Sequence, residues 1–434
     1  DVNVSDWAND SVTARFEEEG SQESYVAFVK QVTSKPVVGV GRLTSADAMV
    51  SQIKRGILDM IGAARPSIAD PFLPRKIEEG RIEDIRECIG CNICVSGDWT
   101  QSPIRCTQNP TMGEEWRRGW HPEIIEQRGE SKKVLVVGAG PAGLEAAMSL
   151  GQRGYEVALA DSGDGGGRAA LESGLPGLSS YKRVSDYRLG QIAKLTNVSF
   201  FPGSEMDRET VLEFGADQVL IATGSSWRAD GLGRATHAPI PGIADHAQCF
   251  TPDDIMAGQL PSADAVLVYD DDHYYMGGVI AQLLADSGKA VTLVTPGPEV
   301  SCWTQNTMEQ HRIEKALLDR GVTLIAKHTL SGVASDSVSF ACNTTDRALS
   351  IEAPGLVMVT LRAPMSSLYF SLAGEAQEQI DELPFGLLRI GDCMAPNTIA
   401  AAVYDGHRAA REMDNWPDPD SVPFKREQSV IDRL

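Results

Sequence analysis

Apolar runs alternate with amphipathic stretches in the first eighty residues. The apolar run 36–41 ends in glycines and lies between amphipathic stretches at 25–32 and 46–55, and a second apolar run follows at 57–64. Strands that alternate with helices of this length are typical of parallel βα units, and two such units cannot close a sheet by themselves. The pattern predicts that residues 1–80 are the C-terminal part of a (β/α)8 barrel. A small two-stranded appendage is the alternative.

The second half of the chain repeats this alternation with longer elements. Two strand–helix–strand units predict two dinucleotide-type α/β domains, and the first resumes near the C-terminus, so we expect the second to be inserted into it. The predicted limits are 131–250 with 385–434 for the first domain and 251–384 for the inserted one. The predicted strands are 134–137, 156–161, 265–269, 290–294 and 386–392, and the predicted helices are 142–153 and 280–287.

Composition and charge narrow the class of protein. The 434 residues are 42% hydrophobic and 23% charged, which is ordinary for a globular chain. No apolar run approaches the roughly 18–20 residues that span a bilayer, so we expect no membrane span. The formal net charge of −21 argues against a nucleic-acid partner and favours a cationic substrate or a basic partner.

Four of the eight cysteines lie within nineteen residues, in a segment (81–130) without clean periodicity. Three thiolates with two residues between neighbours can bind three corners of an iron–sulfur cubane, and a distant fourth can close it. Zinc sites usually show paired cysteine knuckles or histidines, and His121 lies outside this spacing. We therefore predict a [4Fe–4S] cluster in a reducing, cytoplasmic setting, with zinc or unliganded cysteines as alternatives. The predicted ligands are Cys88, Cys91, Cys94 and Cys106.

A glycine motif follows the predicted strand 134–137. Gly138, Gly140 and Gly143 have the spacing that lets backbone N–H groups approach a pyrophosphate, and Asp161 ends the next strand, where it can bind a ribose hydroxyl. The motif predicts an adenine-dinucleotide-type site. Later strand ends of the same fold supply further candidate contacts, namely Thr223, Gly224 and Asp392.

The inserted unit lacks this motif. After strand 265–269 the chain continues with three aspartates, Asp270 to Asp272, where a glycine turn would be expected. Carboxylates at the entrance of a helix repel a pyrophosphate, so we expect no tight NAD(P)H binding there.

The two apolar runs of the barrel part end in loops that suit a phosphate. Gly41 and Arg42 follow the first run, and Ala63 and Arg65 follow the second. Loops after the last strands of such barrels often bind phosphate, so these residues are candidates for the phosphate of FMN. The alternative is ordinary βα turns with surface arginines.

Several stretches resemble trimethylamine dehydrogenase and its relatives, which include dimethylamine and histamine dehydrogenases and dimethylglycine and betaine demethylases. They are CIGCNIC and CTQNPTMGEEWRRGWHPE within 88–123, ARPSIADPFLP at 64–74, VGAGPAG at 137–143 and GHRAARE at 406–412. The resemblance covers nearly the whole chain and about the C-terminal two-thirds of such an enzyme. It implies FMN in a barrel, a [4Fe–4S] cluster bound by the four cysteines, and a glutathione-reductase-like pair of domains with ADP, or FAD as in reductase relatives.

The resemblance also implies roles for single residues. Arg65 matches the arginine of the FMN phosphate. Trp7 and Trp99 match walls of an aromatic substrate bowl, and Asp10 matches a carboxylate that joins a Tyr–His pair near the substrate. Tyr274 matches a surface tyrosine near the electron exit.

The implied activity is the oxidation of a methylated amine of the trimethylamine, dimethylamine or dimethylglycine type at FMN. Electrons would pass through the cluster to an electron-transfer flavoprotein, and we expect a homodimer or a complex with a companion chain. One alternative is an NAD(P)H-dependent enoate or 2,4-dienoyl-CoA reductase of the same architecture. Another is an electron-transfer subunit whose catalytic part is a separate chain.

Overall fold

The computed structural model describes residues 7, 13–127, 132–246, 248–375 and 377–415. In the first portion, β1 and β2 pair in parallel, with Val38 opposite Met60, and short helices surround them. The predicted helix 25–32 is divided into two short helices. The elements are α1 (Glu23–Val26), α2 (Val29–Val32), β1 (Val38–Gly39), α3 (Ala46–Lys54), β2 (Met60–Ile61), α4 (Ala64–Ala69) and α5 (Leu73–Glu78).

The cysteine-rich segment has little regular structure. It contains α6 (Ile93–Thr100) and α7 (Glu115–Arg118), and loops make up most of the rest. The loops are held by side chains: the amide of the buried Asn109, for example, donates to the carbonyl oxygen of Ile68 at 3.0 Å. The absence of a clean period in the sequence therefore corresponds to a segment that packs through specific contacts rather than through repeated backbone hydrogen bonds.

The first large sheet has five parallel strands in the order β17-β6-β3-β4-β5. Its central strand β3 is apolar and almost fully buried, and α8 packs against it, as expected for a parallel sheet covered on both faces. The elements before the insertion are β3 (Lys133–Val137), α8 (Pro141–Gln152), β4 (Glu156–Ala160), α9 (Gly167–Glu172), α10 (Arg183–Ile192), β5 (Val198–Phe201), α11 (Arg208–Phe214), β6 (Gln218–Ile221) and β7 (Ser225–Trp227).

The second large sheet is also parallel, in the order β11-β10-β9-β15-β8, and an antiparallel sheet β12-β13-β14 follows β11. These strands lie in sequence between β6 and β17 of the first sheet. The elements are β8 (Cys249–Phe250), α12 (Pro252–Met256), β9 (Ala265–Asp270), α13 (Met276–Asp286), β10 (Ala290–Val294), α14 (Gln310–Leu318), β11 (Thr323–Ile325), β12 (His328–Val333), β13 (Ser337–Cys342), β14 (Ala348–Glu352), β15 (Gly355–Val359), β16 (Arg362–Pro364), α15 (Ser367–Ala373), β17 (Gly386–Arg389) and α16 (Ile399–Glu412).

The parallel sheets confirm the predicted α/β class. The domain limits given above stay a prediction. Within the part of the chain that the structure describes, no helix combines the length and the apolar character that crossing a bilayer requires.

A buried ion network joins α8, α10 and α16. Oε2 of Glu145 lies 2.7 Å from Nε of Arg188, and its Oε1 lies 2.7 Å from Nδ1 of His407. All three residues are at most 4% exposed. Burial alone would raise the pKa of Glu145, but the charge of Arg188 and the hydrogen bond to His407 lower it to about 2. The network therefore requires an ionised carboxylate at position 145.

We expect Glu145→Gln to lower the free energy of unfolding by about 3–5 kcal/mol near pH 7, because the Arg188 charge stays buried without its partner. The pKa of the carboxyl is 4.5 unfolded and about 2 folded, so its contribution is present above pH 4.5 and is lost as the pH falls towards 2. Calorimetry across this range measures the effect. Glu156→Gln, on an exposed residue of β4, is the control, and equal losses in both variants would contradict the prediction.

Candidate functional site

The structure brings the four predicted cluster cysteines around one small cavity. Each of the four sulfurs has a polar neighbour. The backbone N–H of Gly90 donates to Sγ of Cys88 at 3.4 Å. Sγ of Cys91 lies 3.2 Å from Oγ1 of Thr107. Hydrogen bonds to sulfur are among the factors that set the reduction potential of an iron–sulfur cluster.

Burial favours the neutral form of these thiols. The pKa values of Cys91, Cys94 and Cys106 are raised to about 12, first because the thiols are removed from water and then because neighbouring cysteines repel a second negative charge. A bound metal cation deprotonates a coordinating thiol outright. The donor set therefore fits an iron–sulfur cluster, whose positive iron ions would offset the cost of burying thiolate charge.

A single metal ion has different requirements. Among the described residues, no three or more His, Cys, Asp or Glu side chains are grouped so that they could hold a metal ion. A zinc ion draws its sulfur ligands to about 2.3 Å from one point. In a cubane each cysteine binds a different iron, so its sulfurs stand farther apart, and the lack of a single-ion site does not bear on a cluster.

The loops after β1 and β2 meet at one end of this strand pair. Gly41 and Arg42 follow β1, while Ala63 and Arg65 follow β2. Nε of Arg42 is buried and has no hydrogen-bond partner in the described part of the chain. Nη1 of Arg65 donates to Oδ1 of Asn92 at 2.6 Å, which places Arg65 beside the cysteine cavity. A phosphate oxygen would satisfy the buried donor of Arg42, so these residues fit the phosphate end of FMN.

The glycine turn between β3 and α8 is tightly packed at two of its three glycines. Gly138 has a φ of 105°, and a Cβ there would lie 2.3 Å from the carbonyl oxygen of Ala222. A Cβ on Gly143 would lie 1.8 Å from the carbonyl oxygen of Gly138. At Gly140 the nearest atom to such a Cβ is the Cα of Gly167, at 3.9 Å. The start of α8 is therefore open, as an approaching pyrophosphate requires.

Asp161 lines a groove that Gly138 and Gly140 of this turn also line. Its Oδ2 accepts a hydrogen bond from the N–H of Ala139 at 2.6 Å, and its Oδ1 accepts one from the N–H of Gly163 at 2.8 Å. The carboxylate thus ties the end of β4 to the glycine turn. Each carboxylate oxygen has a further lone pair, so the predicted ribose contact is compatible with these bonds and stays a prediction.

Asp392 lies at the other end of the groove, which Thr223 and Gly224 also line. Its Oδ1 accepts from the N–H of Asn397 at 2.9 Å, and its Oδ2 forms an ion pair with Arg362. The structure therefore brings the predicted nucleotide residues of both halves of the first sheet together along one groove.

Two arginines and a tryptophan near this groove were not predicted as site residues. The guanidinium carbons of Arg168 and Arg362 lie 5.2 and 5.7 Å from the ring centroid of Trp227. Nη1 of Arg168, which lines the groove, is buried without a hydrogen-bond partner in the described ranges, so it suits an anionic phosphate. Arg168 follows the glycines 165–167, which is a usable signal. Arg362 has no local signal because its partners are distant in sequence.

In the inserted unit, the turn after β9 corresponds to the glycine turn after β3. The side chain of Asp270 lies there in the space where a pyrophosphate would bind. A Cβ on Gly277, near the start of α13, would lie 2.6 Å from Oδ2 of Asp270. Oδ1 of Asp270 accepts from the N–H groups of Asp272 and His273 at 3.2 and 3.1 Å. Burial raises the pKa of Asp270 to about 7. A dinucleotide pyrophosphate would have to displace this side chain.

Tyr274 is partly buried among other aromatic rings. Its ring centroid lies 4.8 Å from that of Trp303 and 4.3 Å from that of Tyr275. Tyr275 in turn lies 5.7 Å from Tyr181. The rings of Tyr181, Tyr275, Tyr274 and Trp303 therefore form a continuous series, and the three tyrosines share a hydrophobic cluster with Cys91. The role of Tyr274 in electron exit stays a prediction.

Of the predicted substrate residues, the structure describes the two tryptophans. Trp7 and Trp99 are 52% and 57% exposed. Asp10 lies outside the described residues. The aromatic bowl and the role of Asp10 stay predictions.

We expect Asp270→Asn to stabilise the fold at alkaline pH. The carboxyl pKa is 3.8 unfolded and about 7 folded, so ionisation of the buried group destabilises the native state progressively between these values. The amide oxygen of Asn keeps the acceptor for His273 without the charge. The gain in unfolding free energy should therefore grow from pH 4 to pH 7 and then stay constant, as measured by denaturant titration. Asp336→Asn, at an exposed position, should show no such gain, and a variant less stable than the parent at pH 8 would refute the account.

Comparison with known proteins gives two matching family models. Residues 132–380 match the pyridine nucleotide-disulphide oxidoreductase model, and residues 2–84 match the NADH:flavin oxidoreductase / NADH oxidase model. The second match supports the prediction that the first portion is the C-terminal part of a flavin-binding barrel. The first match covers more than half of the chain.

Relatives that match nearly all of this chain agree with the two family models. The chain is 36% identical to dimethylamine dehydrogenase of Hyphomicrobium sp. (strain x), over 99% of this chain and 62% of the relative. It superimposes on histamine dehydrogenase from Rhizobium sp. 4-9 with a TM-score of 0.95 and 49% identity, over 98% of this chain and 62% of that one. For 6-hydroxypseudooxynicotine amine oxidase from Pseudomonas geniculata N1 the TM-score is 0.91 and the identity 48%, over 94% and 61%.

The chain thus spans about three-fifths of the length of these relatives. The predicted fold, with a barrel part and a glutathione-reductase-like pair of α/β domains, is confirmed. Similarity to dimethylamine and histamine dehydrogenases confirms the predicted resemblance to trimethylamine dehydrogenase and its relatives, and the chain belongs to the pyridine nucleotide-disulphide oxidoreductase family.

Proposed function

We propose that the chain is the iron–sulfur and nucleotide-binding part of an amine dehydrogenase that oxidises a methylated amine and passes the electrons to another protein. The observation that carries the proposal is the convergence of four cysteines on one cavity that Arg65 also lines. A flavin phosphate at Arg42 and Arg65 would lie next to that cavity. Two redox groups so placed favour electron transfer between them.

The residues of this chain would hold the groups and let electrons leave. Bound FMN would supply two-electron oxidation of the amine, and a bound [4Fe–4S] cluster would supply one-electron transfer. Arg42 and Arg65 would hold the flavin phosphate, and the four cysteines would hold the cluster. The aromatic rings from Tyr181 to Trp303 pack one against the next, and Trp303 lines a second cavity. An electron-transfer flavoprotein is the partner that this arrangement and the family resemblance favour.

The substrate side of the proposal depends on Trp7, Trp99 and Asp10. Exposed aromatic rings bind methylated ammonium groups by cation–π contact, worth about 0.5–2 kcal/mol per ring. Asp10 would orient its partners and influence the proton of the amine. The acidic balance of the chain also favours a cationic substrate.

The nucleotide groove of the first sheet would hold ADP, or FAD, with its pyrophosphate at the start of α8. The open space at Gly140 and the unsatisfied Nη1 of Arg168 support an anionic ligand. ADP and FAD share the adenosine diphosphate moiety that Gly140 and Arg168 would contact. These two residues therefore do not distinguish ADP from FAD.

An NAD(P)H-dependent reductase of the same architecture is the second candidate, and the match of residues 2–84 to the NADH:flavin oxidoreductase / NADH oxidase model favours it. Asp270 opposes it, because its carboxylate lies where the pyrophosphate of the nicotinamide dinucleotide would bind. A homodimer, or a complex with a separate catalytic chain, is compatible with either candidate.

Removal of a predicted cluster ligand should release iron. We expect Cys91→Ser and Cys106→Ser to lose the iron, the inorganic sulfide and the visible absorbance of the cluster, because four thiolates are needed to bind it. Cys249→Ser is the matched control, since Cys249 lies on β8 and not in the cysteine cavity. Iron and sulfide analysis of the purified proteins measures the outcome. A colourless, iron-free and zinc-loaded parent protein would overturn the proposal.

Anaerobic mixing separates the two candidate functions. With the amine dehydrogenase, a methylated amine should bleach the flavin absorbance rapidly and NADH should not, because Asp270 blocks the pyrophosphate site. Stopped-flow spectroscopy on the holoprotein, with a panel of methylamines and with NADH, measures the rates. Rapid bleaching by NADH would favour the reductase instead. Denaturation of the same sample and chromatography of the released nucleotides identify FMN together with ADP or FAD.

A further inference from the structure

Asn92 lies at the centre of the cysteine motif and has an uncommon conformation. It stands between Cys91 and Cys94, with φ 53° and ψ 18°, and it is 1% exposed. Asn adopts this left-handed region more readily than most residues other than glycine. Its carbonyl oxygen accepts from the N–H groups of Val95 and Ser96, so the turn at Asn92 starts α6.

The side chain of Asn92 joins two other parts of the molecule. Oδ1 accepts a hydrogen bond from Nη1 of Arg65 at 2.6 Å, and Nδ2 donates to the carbonyl oxygen of Thr307 at 3.0 Å. Arg65 belongs to the barrel part, and Thr307 lies between β10 and α14 of the inserted unit. The buried side-chain amide of Asn92 therefore connects the cysteine segment to the barrel part and to the inserted unit.

The contact at Thr307 is itself anchored. Oγ1 of Thr307 donates to Oε2 of Glu309 at 2.7 Å, and Oε1 of Glu309 lies 3.1 Å from Nε of Arg15. The side chains of Glu309 and Arg15 are 0% and 4% exposed. Arg15, like Arg65, belongs to the barrel part. A continuous series of polar contacts therefore runs from Arg15 through Glu309, Thr307 and Asn92 to Arg65.

The positive guanidinium group of Arg65 affects the reduction potential of a cluster bound in the cysteine cavity. Arg65 lines the cysteine cavity, where its guanidinium group lies beside the predicted cluster ligands. Reduction adds one negative charge to a cluster, and a nearby positive charge stabilises that form, most strongly where water is excluded. The distance between Arg65 and the cavity therefore affects the reduction potential.

We infer that Asn92 is a positioning residue that holds Arg65 against the cluster and so keeps the cluster's reduction potential high enough to accept electrons from the flavin. Thr307 fixes the amide from the other side, so that the amide cannot follow Arg65 away from the cavity. The inference rests on the proposed cluster and goes beyond it, since Asn92 binds no iron itself.

The test uses Asn92→Gly, because glycine adopts the left-handed backbone without strain while both side-chain hydrogen bonds are lost. We expect four irons per chain to remain. The equilibrium constant for reduction of the cluster should fall about tenfold, which is a shift of about 59 mV for one electron. Redox titration monitored by electron paramagnetic resonance measures it, and it needs no substrate.

A double-mutant cycle shows whether Asn92 acts through Arg65. Arg65→Gln removes the charge and should lower the potential by at least as much as Asn92→Gly. Combining the two should then add nothing to Arg65→Gln alone, because the group that Asn92 positions is absent. Full additivity would overturn the inference.

Asn343→Gly is the matched control. Asn343 also connects two elements, since Nδ2 donates to the carbonyl oxygen of Pro296 at 2.8 Å and Oδ1 accepts from Oγ1 of Thr329 at 2.6 Å. It lies in the loop between β13 and β14, and its replacement should leave the potential unchanged. An unchanged potential in an iron-replete Asn92→Gly protein would refute the positioning role, and loss of iron would refute it as well. A parent protein without iron would instead refute the proposed function.

Discussion

Three guanidinium groups converge on the short loop that carries the first cysteines, and the arrangement of the site depends on this convergence. Arg65 binds Asn92, and Nη1 of Arg183 lies 3.3 Å from the carbonyl oxygen of Cys88. A Cβ on Gly90 would lie 2.6 Å from Nη2 of Arg42. The loop has little secondary structure, and these long side chains from the barrel part and from α10 hold it in place. The same positive charges compensate for thiolate charge.

The inserted unit has a parallel sheet like that of the first unit, but a different turn follows its first long strand, β9. Its sheet is parallel and fully packed, with β9 and β15 buried at the centre. The turn after β9 nevertheless carries Asp270 against the start of α13, where a nucleotide-binding domain presents glycines. Helix α13 still packs on the sheet, and Tyr275 just before it packs edge-on against Tyr181. The unit thus contributes packing to the rest of the molecule.

Much of the architecture followed from periodicity. The strand 290–294 was predicted with its observed limits, and the glycine turn, its strand and its helix were placed to within a residue. These elements are long, apolar and bounded by glycine, so short-range preferences decide them. The cysteine segment offered no period because its backbone is held by side chains, and α6 and α7 were not predicted there. The region around Asp10 is not described, so the predicted bowl is untested.

The sequence by itself determined the motifs whose members are close along the chain: the spacing of the cysteines, the glycine turn and the carboxylates after β9. Their chemistry depends on local backbone geometry, which a short stretch of residues specifies. Only the tertiary structure decided which distant groups meet them. Arg362 reaches Asp392, and Asn92 joins Arg65 to Thr307. Such contacts depend on how sheets and helices pack, and no local pattern encodes the partner of a side chain that lies tens or hundreds of residues away.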